Sequence, residues 1–314
     1  MSTEGGTKAV VAAMLANAGI AVTKFAAYFI TGGAAASMLA EAIHSVADTG
    51  NQLLLLLGGR AAKRGANEKH PFGYGRARYV YAFVVSIVLF SLGGLFALYE
   101  AYHKFHEVRA GHVADLGRWW WIPIAVLVIA IIMESFSFRT AIIESDKARG
   151  ARSWKQFITT AKAPELPVVL LEDLAALLGL VFALLGVGMT LLTGNGYWDA
   201  AGTAMIGLLL VAVAAVLAYE MRGLLIGESA TPEHNDAIRA AITSTDRVDD
   251  IIHIKTLHLG PEELLVAAKV GVEPGATAEQ IAAAINAAEQ RARAAVPELT
   301  LVIYLEPDIR TTAA

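Results

Sequence analysis

The chain has 314 residues, of which 56% are hydrophobic and 17% are charged, and its mean hydropathy is +0.53. Average soluble domains are about 45–50% apolar and about 25% charged, so this composition is typical of a membrane protein. The net charge of −4 comes without a basic block, which argues against nucleic-acid binding, and the absence of cysteine excludes disulfides and thiolate metal ligands.

Six segments are long and apolar enough to cross the hydrocarbon core of a bilayer, which needs roughly 20 residues. They cover Val10–Phe29, Ala34–Leu57, Val80–Tyr102, Trp119–Ile142, Val168–Leu192 and Ala200–Leu225. The first apolar run is too long for the core of a signal peptide, so we interpret it as a retained helix. We therefore predict an all-α transmembrane domain of six helices over residues 1–227.

Basic residues are concentrated in two of the connections between these segments. The second-to-third connection carries Arg60, Lys63, Arg64, Lys69, Arg76 and Arg78, and the fourth-to-fifth carries Lys147, Arg149, Arg152, Lys155 and Lys162. Connections rich in Lys and Arg stay in the cytoplasm, so both connections and both termini are predicted to be cytoplasmic. We expect a multi-pass protein in the lipid bilayer of a bacterial inner membrane.

Residues 228–314 are polar and mixed in charge, like a small soluble domain. The pattern predicts a helix, two strands, a helix and a strand, at Asn235–Thr243, Asp250–Leu259, Leu264–Val272, Thr277–Ala295 and Leu299–Leu305. Thr277 and Gln280 have the spacing of a capping box. The prediction is a cytoplasmic α+β domain of α-β-β-α-β order, ferredoxin-like, with a regulatory or dimerisation role.

Four polar residues in the second apolar segment recur at the spacing of one helix face: Glu41, His44, Asp48 and Asn51. An ionisable side chain at membrane depth costs about 2.5–3.5 kcal/mol on insertion scales, so such residues usually face the protein interior and indicate an ion path. An imidazole and a carboxylate one turn apart are suitable metal ligands. We favour half of a metal site at His44 and Asp48 over a hydrogen bond that only packs two helices.

Three more carboxylates lie in predicted spans. Glu172 and Asp173, near the start of the fifth, either contribute to the ion site or cap the helix at headgroup level. Adjacent residues point about 100° apart on a helix, so at most one of them faces the second-span pair squarely. Glu134, in the fourth span, has three open interpretations: a metal ligand, a proton carrier, or a partner of Arg139.

The loop after the second span carries one further candidate, formed by Glu68 and His70. A single histidine beside a carboxylate is either a loop metal ligand or a structural residue, and both interpretations stay open.

Two motifs make the chain resemble the cation diffusion facilitators, a family of zinc-type transporters. They are AEAIHSVAD at residues 40–48 and HPFGYGR at residues 70–76. A third stretch, LEDLAALLG at residues 171–179, is similar to the branch that includes the mitochondrial-type zinc transporter nine. The resemblance covers essentially the whole chain, including the six spans and the small C-terminal domain.

The resemblance implies a transport site with two ligands from the second span and two from the fifth, four residues apart in each. His44, Asp48 and Asp173 match three of these positions, whereas Val169 stands at the fourth. This departure leaves the fourth ligand to Glu172, as first choice, or to Glu41, Asn51, Asn17 or water.

The resemblance also implies where other metal sites of the family would fall. In the loop, His70 matches the first histidine position of some members, but Tyr74 stands at the second. In the C-terminal domain, ligand positions of some members fall on Lys269, Tyr304 and Glu306. A lysine at a ligand position argues against a two-metal site there.

The resulting hypothesis is a homodimeric antiporter, not an enzyme, that exports a divalent metal from the cytoplasm in exchange for protons by alternating access. Zn²⁺ is the leading substrate, with Mn²⁺, Fe²⁺, Co²⁺ or Cd²⁺ as alternatives, and no organic cofactor is expected. Rival hypotheses are a non-transporting membrane metal sensor or scaffold, and a proton-coupled exporter of organic cations.

Overall fold

The computed structural model of the protein describes residues 2–30, 36–111 and 119–309, without the side chains of residues 2–5, 36–41 and 43. The first elements are α1 (Ser2–Ile30), α2 (Ala36–Ala62), α3 (Ala77–Val88), a π-helical segment (Leu89–Leu95) and α4 (Phe96–Arg109). They are followed by α5 (Trp121–Arg149), α6 (Trp154–Thr160), α7 (Glu165–Thr193) and α8 (Tyr197–Ile226). The C-terminal elements are α9 (Pro232–Thr243), β1 (Val248–Gly260), β2 (Glu263–Val272), α10 (Ala278–Ala295) and β3 (Thr300–Asp308).

Five helical stretches in the described part of the chain are long and apolar enough to cross a membrane. They are Gly6–Ile30, Ala77–Arg109, Trp121–Arg149, Glu165–Thr193 and Tyr197–Ile226. The helix α2 has 27 residues, or about 40 Å at 1.5 Å per residue, but its many polar residues keep it out of this set. Five of the six predicted spans are therefore confirmed as helices of this kind, and the second stays a prediction.

The membrane helices form one compact unit, which comprises residues 1–60 and 78–222. Within it, α1, α5 and α7 pack against one another. The helices α7 and α8 approach closely at two glycines: a Cβ on Gly202 would lie 2.8 Å from the carbonyl oxygen of Phe182, and one on Gly186 would lie 3.0 Å from that of Trp198. Small residues at such crossings allow backbones to pack without a hydrophobic driving force.

The third span is interrupted by the π-helical segment, which the sequence did not predict. Gly93, inside this segment, is buried, and a Cβ there would lie 3.4 Å from Cε1 of His44. The i→i+5 hydrogen bonding of a π-helix widens the turn and is frequently found beside functional sites. The widened turn thus places bare backbone against the ring of His44.

The C-terminal elements form a second compact unit with a three-stranded sheet of order β1-β2-β3. The first two strands pair antiparallel as a hairpin, and β3 returns through α10 to pair parallel with β2. The core is apolar, with Ile238 and Ile242 of α9 packed among residues such as Leu264 and Val266 of β2. The predicted α-β-β-α-β order is confirmed, as is the capping box at Thr277.

Residues 61–77, the loop between α2 and α3, belong to this C-terminal unit. A Cβ on Gly75 would lie 2.7 Å from the carbonyl oxygen of Leu259, so only glycine permits this approach. The guanidinium of Arg76 donates to the carbonyl oxygen of His258 at 3.5 Å. The predicted domain limits, 1–227 and 228–314, do not include this association.

Candidate metal site in the membrane helices

The helix α2 brings His44 and Asp48 together one turn apart. The Nε2 atom of His44 lies 3.6 Å from Oδ2 of Asp48, and the histidine side chain is partly exposed whereas the aspartate is buried. The residues three and four positions further on, Asn51 and Gln52, are fully buried. The predicted common face of α2 therefore carries an imidazole, a carboxylate and two amides. The side chain of Glu41, also predicted on this face, lies outside the described part of the structure.

Glu172 of α7 is held by the two amides of α2. Asn51 Nδ2 donates to Glu172 Oε1 and Gln52 Nε2 donates to Oε2, each at 2.8 Å. The carboxylate is buried, so these two neutral donors replace its hydration. The contact ties α2 to α7.

Asp173 points to a different helix from its neighbour, as their separation of about 100° on α7 requires. Its Oδ2 accepts a hydrogen bond from the Ser137 hydroxyl of α5 at 2.7 Å, and its side chain is buried. Both carboxylates are thus engaged with other helices, which does not fit simple capping of α7 at the membrane surface.

Glu134 of α5 is 1% exposed, and neither of its carboxylate oxygens has a hydrogen-bond partner among the described residues. Arg139 is exposed on the same helix, so the interpretation of Glu134 as its ion-pair partner is wrong. A buried carboxylate without donors is costly unless a proton or another cation accompanies it. Glu134 therefore remains a candidate for ion or proton binding.

Lys24 of α1 is a buried cation at this site that our sequence reasoning missed. It is 4% exposed, and its Nζ donates to the Ser45 hydroxyl of α2 at 3.2 Å. The signal was visible, because one lysine within a long apolar span is as costly as a carboxylate.

A cavity of about 100 Å³ runs along these groups. At one end it is lined by polar side chains of α1, α2 and α5, namely Asn17, Lys24, His44, Asp48 and Glu134. Four of these are side chains that the sequence predicted as candidates. The lining of the cavity does not include the other predicted candidates on α2 and α7, namely Asn51, Glu172 and Asp173.

The other end of the cavity holds a separate ion cluster between α4 and α8. The Lys104 ammonium lies 2.9 Å from Oδ2 of Asp199 and 3.4 Å from Oε1 of Glu100. It also donates to the Thr203 hydroxyl at 3.1 Å. These carboxylates thus have a cation in direct contact, and at the His44 end Lys24 lines the cavity together with Asp48 and Glu134.

The described side chains are not gathered into a finished coordination shell. Among the side chains that the structure describes, which exclude that of Glu41, no three His, Asp or Glu side chains lie close enough together to hold one metal ion. The neutral donors explain this arrangement, because Glu172 and Asp173 are each turned towards an amide or a hydroxyl. Joint binding of one metal ion by His44, Asp48 and Asp173 would therefore need α7 or its side chains to adjust.

The loop candidates lie elsewhere, in the C-terminal unit. Glu68 and His70 are exposed, the His70 ring packs on Tyr74 with centroids 4.5 Å apart, and the Tyr74 hydroxyl accepts from Asn67 at 3.0 Å. The His70 ring thus packs within the loop, and its interpretation as a metal ligand stays a prediction.

Lys269 occupies the ligand position that the family resemblance implied in the C-terminal unit. Its ammonium on β2 lies 3.1 Å from Oδ2 of Asp308 and 3.4 Å from Oε1 of Glu306, both on β3. Hydrogen bonds from Lys269 to Asp308 and Glu306 raise the pKa of its ammonium above the usual value. A built-in cation thus stands between the carboxylates of this unit.

A polytopic membrane unit with an imidazole and buried carboxylates along an internal cavity defines a class of ion-handling membrane proteins. The sequence profile of the family described as "Cation efflux transmembrane domain" matches residues 10–226. The chain therefore belongs to this family, the cation diffusion facilitators.

Several relatives match most of this chain. It is 32% identical over 272 residues to the "Proton-coupled zinc antiporter SLC30A9, mitochondrial" of Xenopus laevis, covering 86% of this chain and 47% of the relative. The human protein of the same name is 30% identical over 270 residues, covering 85% and 46%. The "Manganese efflux system protein MneP" of Bacillus subtilis is 24% identical over 235 residues, covering 74% and 73%.

The chain spans about half the length of the SLC30A9 relatives. All three relatives are named for moving metal ions rather than for catalysis. The predicted location in a bacterial inner membrane is not supported, because two of them are named as mitochondrial.

Proposed function

We propose that the protein is a secondary transporter that exports a divalent metal ion, foremost Zn²⁺, from the cytoplasm in exchange for protons. The observation that carries this proposal is the His44–Asp48 pair on the wall of a cavity in the membrane unit, which the buried carboxylate of Glu134 on α5 also lines. A neutral imidazole and carboxylates bind a divalent ion, and their protonated forms do not. Loading such a site with metal therefore releases protons, and reprotonation releases the metal.

The proposed ligands are His44, Asp48 and Asp173, with a fourth carboxylate to complete a tetrahedral shell. Glu172 is adjacent to Asp173 and is already desolvated, which supports it as the fourth ligand. Glu134 is the competing candidate, because it lines the cavity and gives up no hydrogen bond on binding metal. Asn17, Asn51, Glu41 or water are the remaining choices.

The donor set influences which metal is carried. One nitrogen with several carboxylate oxygens suits Zn²⁺, and further oxygen ligands favour harder ions such as Mn²⁺. The similarity to a protein named for manganese efflux supports Mn²⁺ as the first alternative substrate. Fe²⁺, Co²⁺ and Cd²⁺ are further alternatives.

In the membrane, we propose that α2 is the sixth span, with its polar face turned to α1 and α7. The bonds from Lys24 to Ser45 and from Asn51 to Glu172 support this placement, because they satisfy polar groups that lipid cannot. The basic loop and both termini face the cytoplasm, and the transporter is a homodimer. Because the chain has no cysteine, single cysteines at Ala66 and Gly111 should label from opposite sides. Labelling from one side would overturn this orientation.

The proposed function is tested with purified protein in liposomes that enclose a pH-sensitive dye. A Zn²⁺ gradient should drive opposite proton movement, and Asp173→Asn should abolish it. Zn²⁺ binding without flux would instead indicate a non-transporting sensor. Proton flux driven by an organic cation, but not by metals, would indicate an exporter of organic cations.

A further inference from the structure

Lys24 is a buried charge that the proposed metal–proton exchange does not use. It sits on α1, and its hydrogen bond to Ser45 places the ammonium beside the residue that follows His44. The Lys24 side chain is 4% exposed, and a buried cation needs negative charge nearby to compensate for its loss of hydration.

Carboxylates of the same cavity are one source of negative charge near Lys24. Lys24, Asp48 and Glu134 line the same end of the cavity. The Glu134 carboxylate is repelled by Asp173, Asp48 and Glu172, and it is attracted by Lys24. At the other end of the cavity, the Lys104 ammonium balances the charge of Glu100 and Asp199 by direct contact.

We propose that the Lys24 ammonium is a tethered counter-cation that competes with the divalent ion for the carboxylates of the metal site. Without metal, it balances part of the charge of Asp48 and Glu134. With metal bound, it repels the ion and keeps the affinity low enough for release. Lys24 is thus a residue that sets substrate affinity and turnover, and this role depends on the proposed function.

Equilibrium binding of Zn²⁺ to the purified full-length protein, measured by calorimetry, tests the role in affinity. Lys24→Gln retains a hydrogen-bond donor for Ser45 but removes the charge, so it should tighten Zn²⁺ binding by about tenfold, because one unit charge near a divalent ion acts strongly at low dielectric. Lys24→Arg keeps the charge and should bind Zn²⁺ within about twofold of wild type. The matched control is Lys8→Gln, the same change at an exposed position of α1.

Transport of Zn²⁺ into liposomes tests the role in turnover. Lys24→Gln should lower KM and kcat together, whereas Lys24→Arg should restore both, which a purely structural hydrogen bond to Ser45 does not predict. Unchanged Zn²⁺ affinity in Lys24→Gln, or weaker affinity, would overturn the proposal. If Lys24→Gln does not fold, Lys24→Met replaces it as a neutral variant of similar length.

The two proposals fail in distinguishable ways. If neither neutral variant folds while Lys24→Arg does, Lys24 is a structural ion-pair residue and the counter-cation role is rejected. If the wild-type protein moves no metal, or if Asp173→Asn transports like wild type, the transport function itself fails. If the wild-type protein transports Zn²⁺ and Lys24→Gln has unchanged Zn²⁺ affinity, only the counter-cation role of Lys24 is rejected.

Discussion

Two groups of carboxylates in this protein are held in opposite ways. In the membrane unit, Glu172 accepts from the amides of Asn51 and Gln52, and Asp173 accepts from the hydroxyl of Ser137. In the C-terminal unit, the ammonium of Lys269 bridges two carboxylates of β3 at 3.1 and 3.4 Å. The first group has neutral donors, and the second has a cation that belongs to the chain.

The difference indicates where an external cation is needed. Amide and hydroxyl donors satisfy the hydrogen bonding of a carboxylate but leave its charge, which a metal ion or protons must balance. A lysine supplies that charge internally and competes with any arriving metal. Glu172 and Asp173 are therefore expected to exchange ions, whereas the carboxylates around Lys269 are expected to hold the sheet together.

The largest effect is expected when a carboxylate of the membrane group is neutralised. Asp48→Ala and Asp173→Asn should each abolish metal transport in liposomes, because each removes a carboxylate that the proposed exchange of metal for protons uses. Size-exclusion chromatography should show a folded protein in both cases. Asp246→Asn, an exposed position, is the control. Wild-type transport rates in either variant would reject the site.

A smaller effect should separate the two candidates for the fourth ligand. Glu172→Gln and Glu134→Gln each remove one charge, and the one that supplies the ligand should weaken Zn²⁺ binding by about tenfold or more. The loss should stay below that of Asp173→Asn. If both variants bind Zn²⁺ like the wild type, the fourth place belongs to Asn17, Asn51, Glu41 or water.

His44→Asp should keep metal transport but change its selectivity. Replacing the only nitrogen ligand with an oxygen should shift the preference from Zn²⁺ towards Mn²⁺. Competition between the two metals for binding and for transport measures this shift. An unchanged Zn²⁺ preference would remove His44 from the ligand set.

The smallest effect is expected in the C-terminal unit. The pKa of Lys269 is raised by Asp308 and Glu306, so its contribution to stability is present at neutral pH. That contribution declines as the pH rises above about 10.4, the reference pKa of a lysine in the unfolded chain. It is lost once the pH exceeds the pKa of Lys269 in the folded protein. Lys269→Met should therefore lower Tm by about 2 °C or less at neutral pH, and the difference should shrink in strong alkali. Scanning fluorimetry of the two proteins across pH measures it.

The comparison of the two carboxylate groups also predicts that the C-terminal unit does not bind Zn²⁺ tightly. In the Asp48→Ala/Asp173→Asn background, the full-length protein should bind no Zn²⁺ tightly by calorimetry, because the Lys269 cluster already contains its cation. One tightly bound Zn²⁺ per chain in that background would show that the C-terminal unit or the loop holds a site of its own.

The features of the fold and of the candidate site that could be predicted from the sequence are those that depend on the spacing of nearby residues. His44 and Asp48 meet because four residues make about one helical turn, and the hairpin and capping box of the C-terminal unit follow from short-range patterns. The capping box of Thr277 and Gln280 could be predicted without any knowledge of the rest of the fold. Features of this kind are determined by residues that lie within a few positions of one another in the sequence.

The parts that could not be predicted depend on which helices meet. The pairing of Glu172 with Asn51 joins residues 121 positions apart, and no periodicity within either helix encodes it. The short helix α6 and its Ser153 cap were missed because a charged connection dominated that region. Lys24 was overlooked because its partner Ser45 is 21 positions away on another helix, and no spacing within α1 links the two.

The π-helical segment Leu89–Leu95 has a consequence for how the third span tolerates changes in length. A π turn accommodates residues that an α-helix of the same path would not, so deleting one residue there would let the span continue as a regular α-helix. The later side chains would then keep their positions around the helix axis, because the π turn absorbs the extra residue without changing the phase of the helix that follows. Glu100 and Lys104 would still face the cavity. The same deletion within the regular helix at Phe96 or Ala97 would instead rotate Glu100 and Lys104 by about 100° around the helix axis and away from the cavity. The third span therefore tolerates the loss of one residue at Leu89–Leu95 but not a few residues further on.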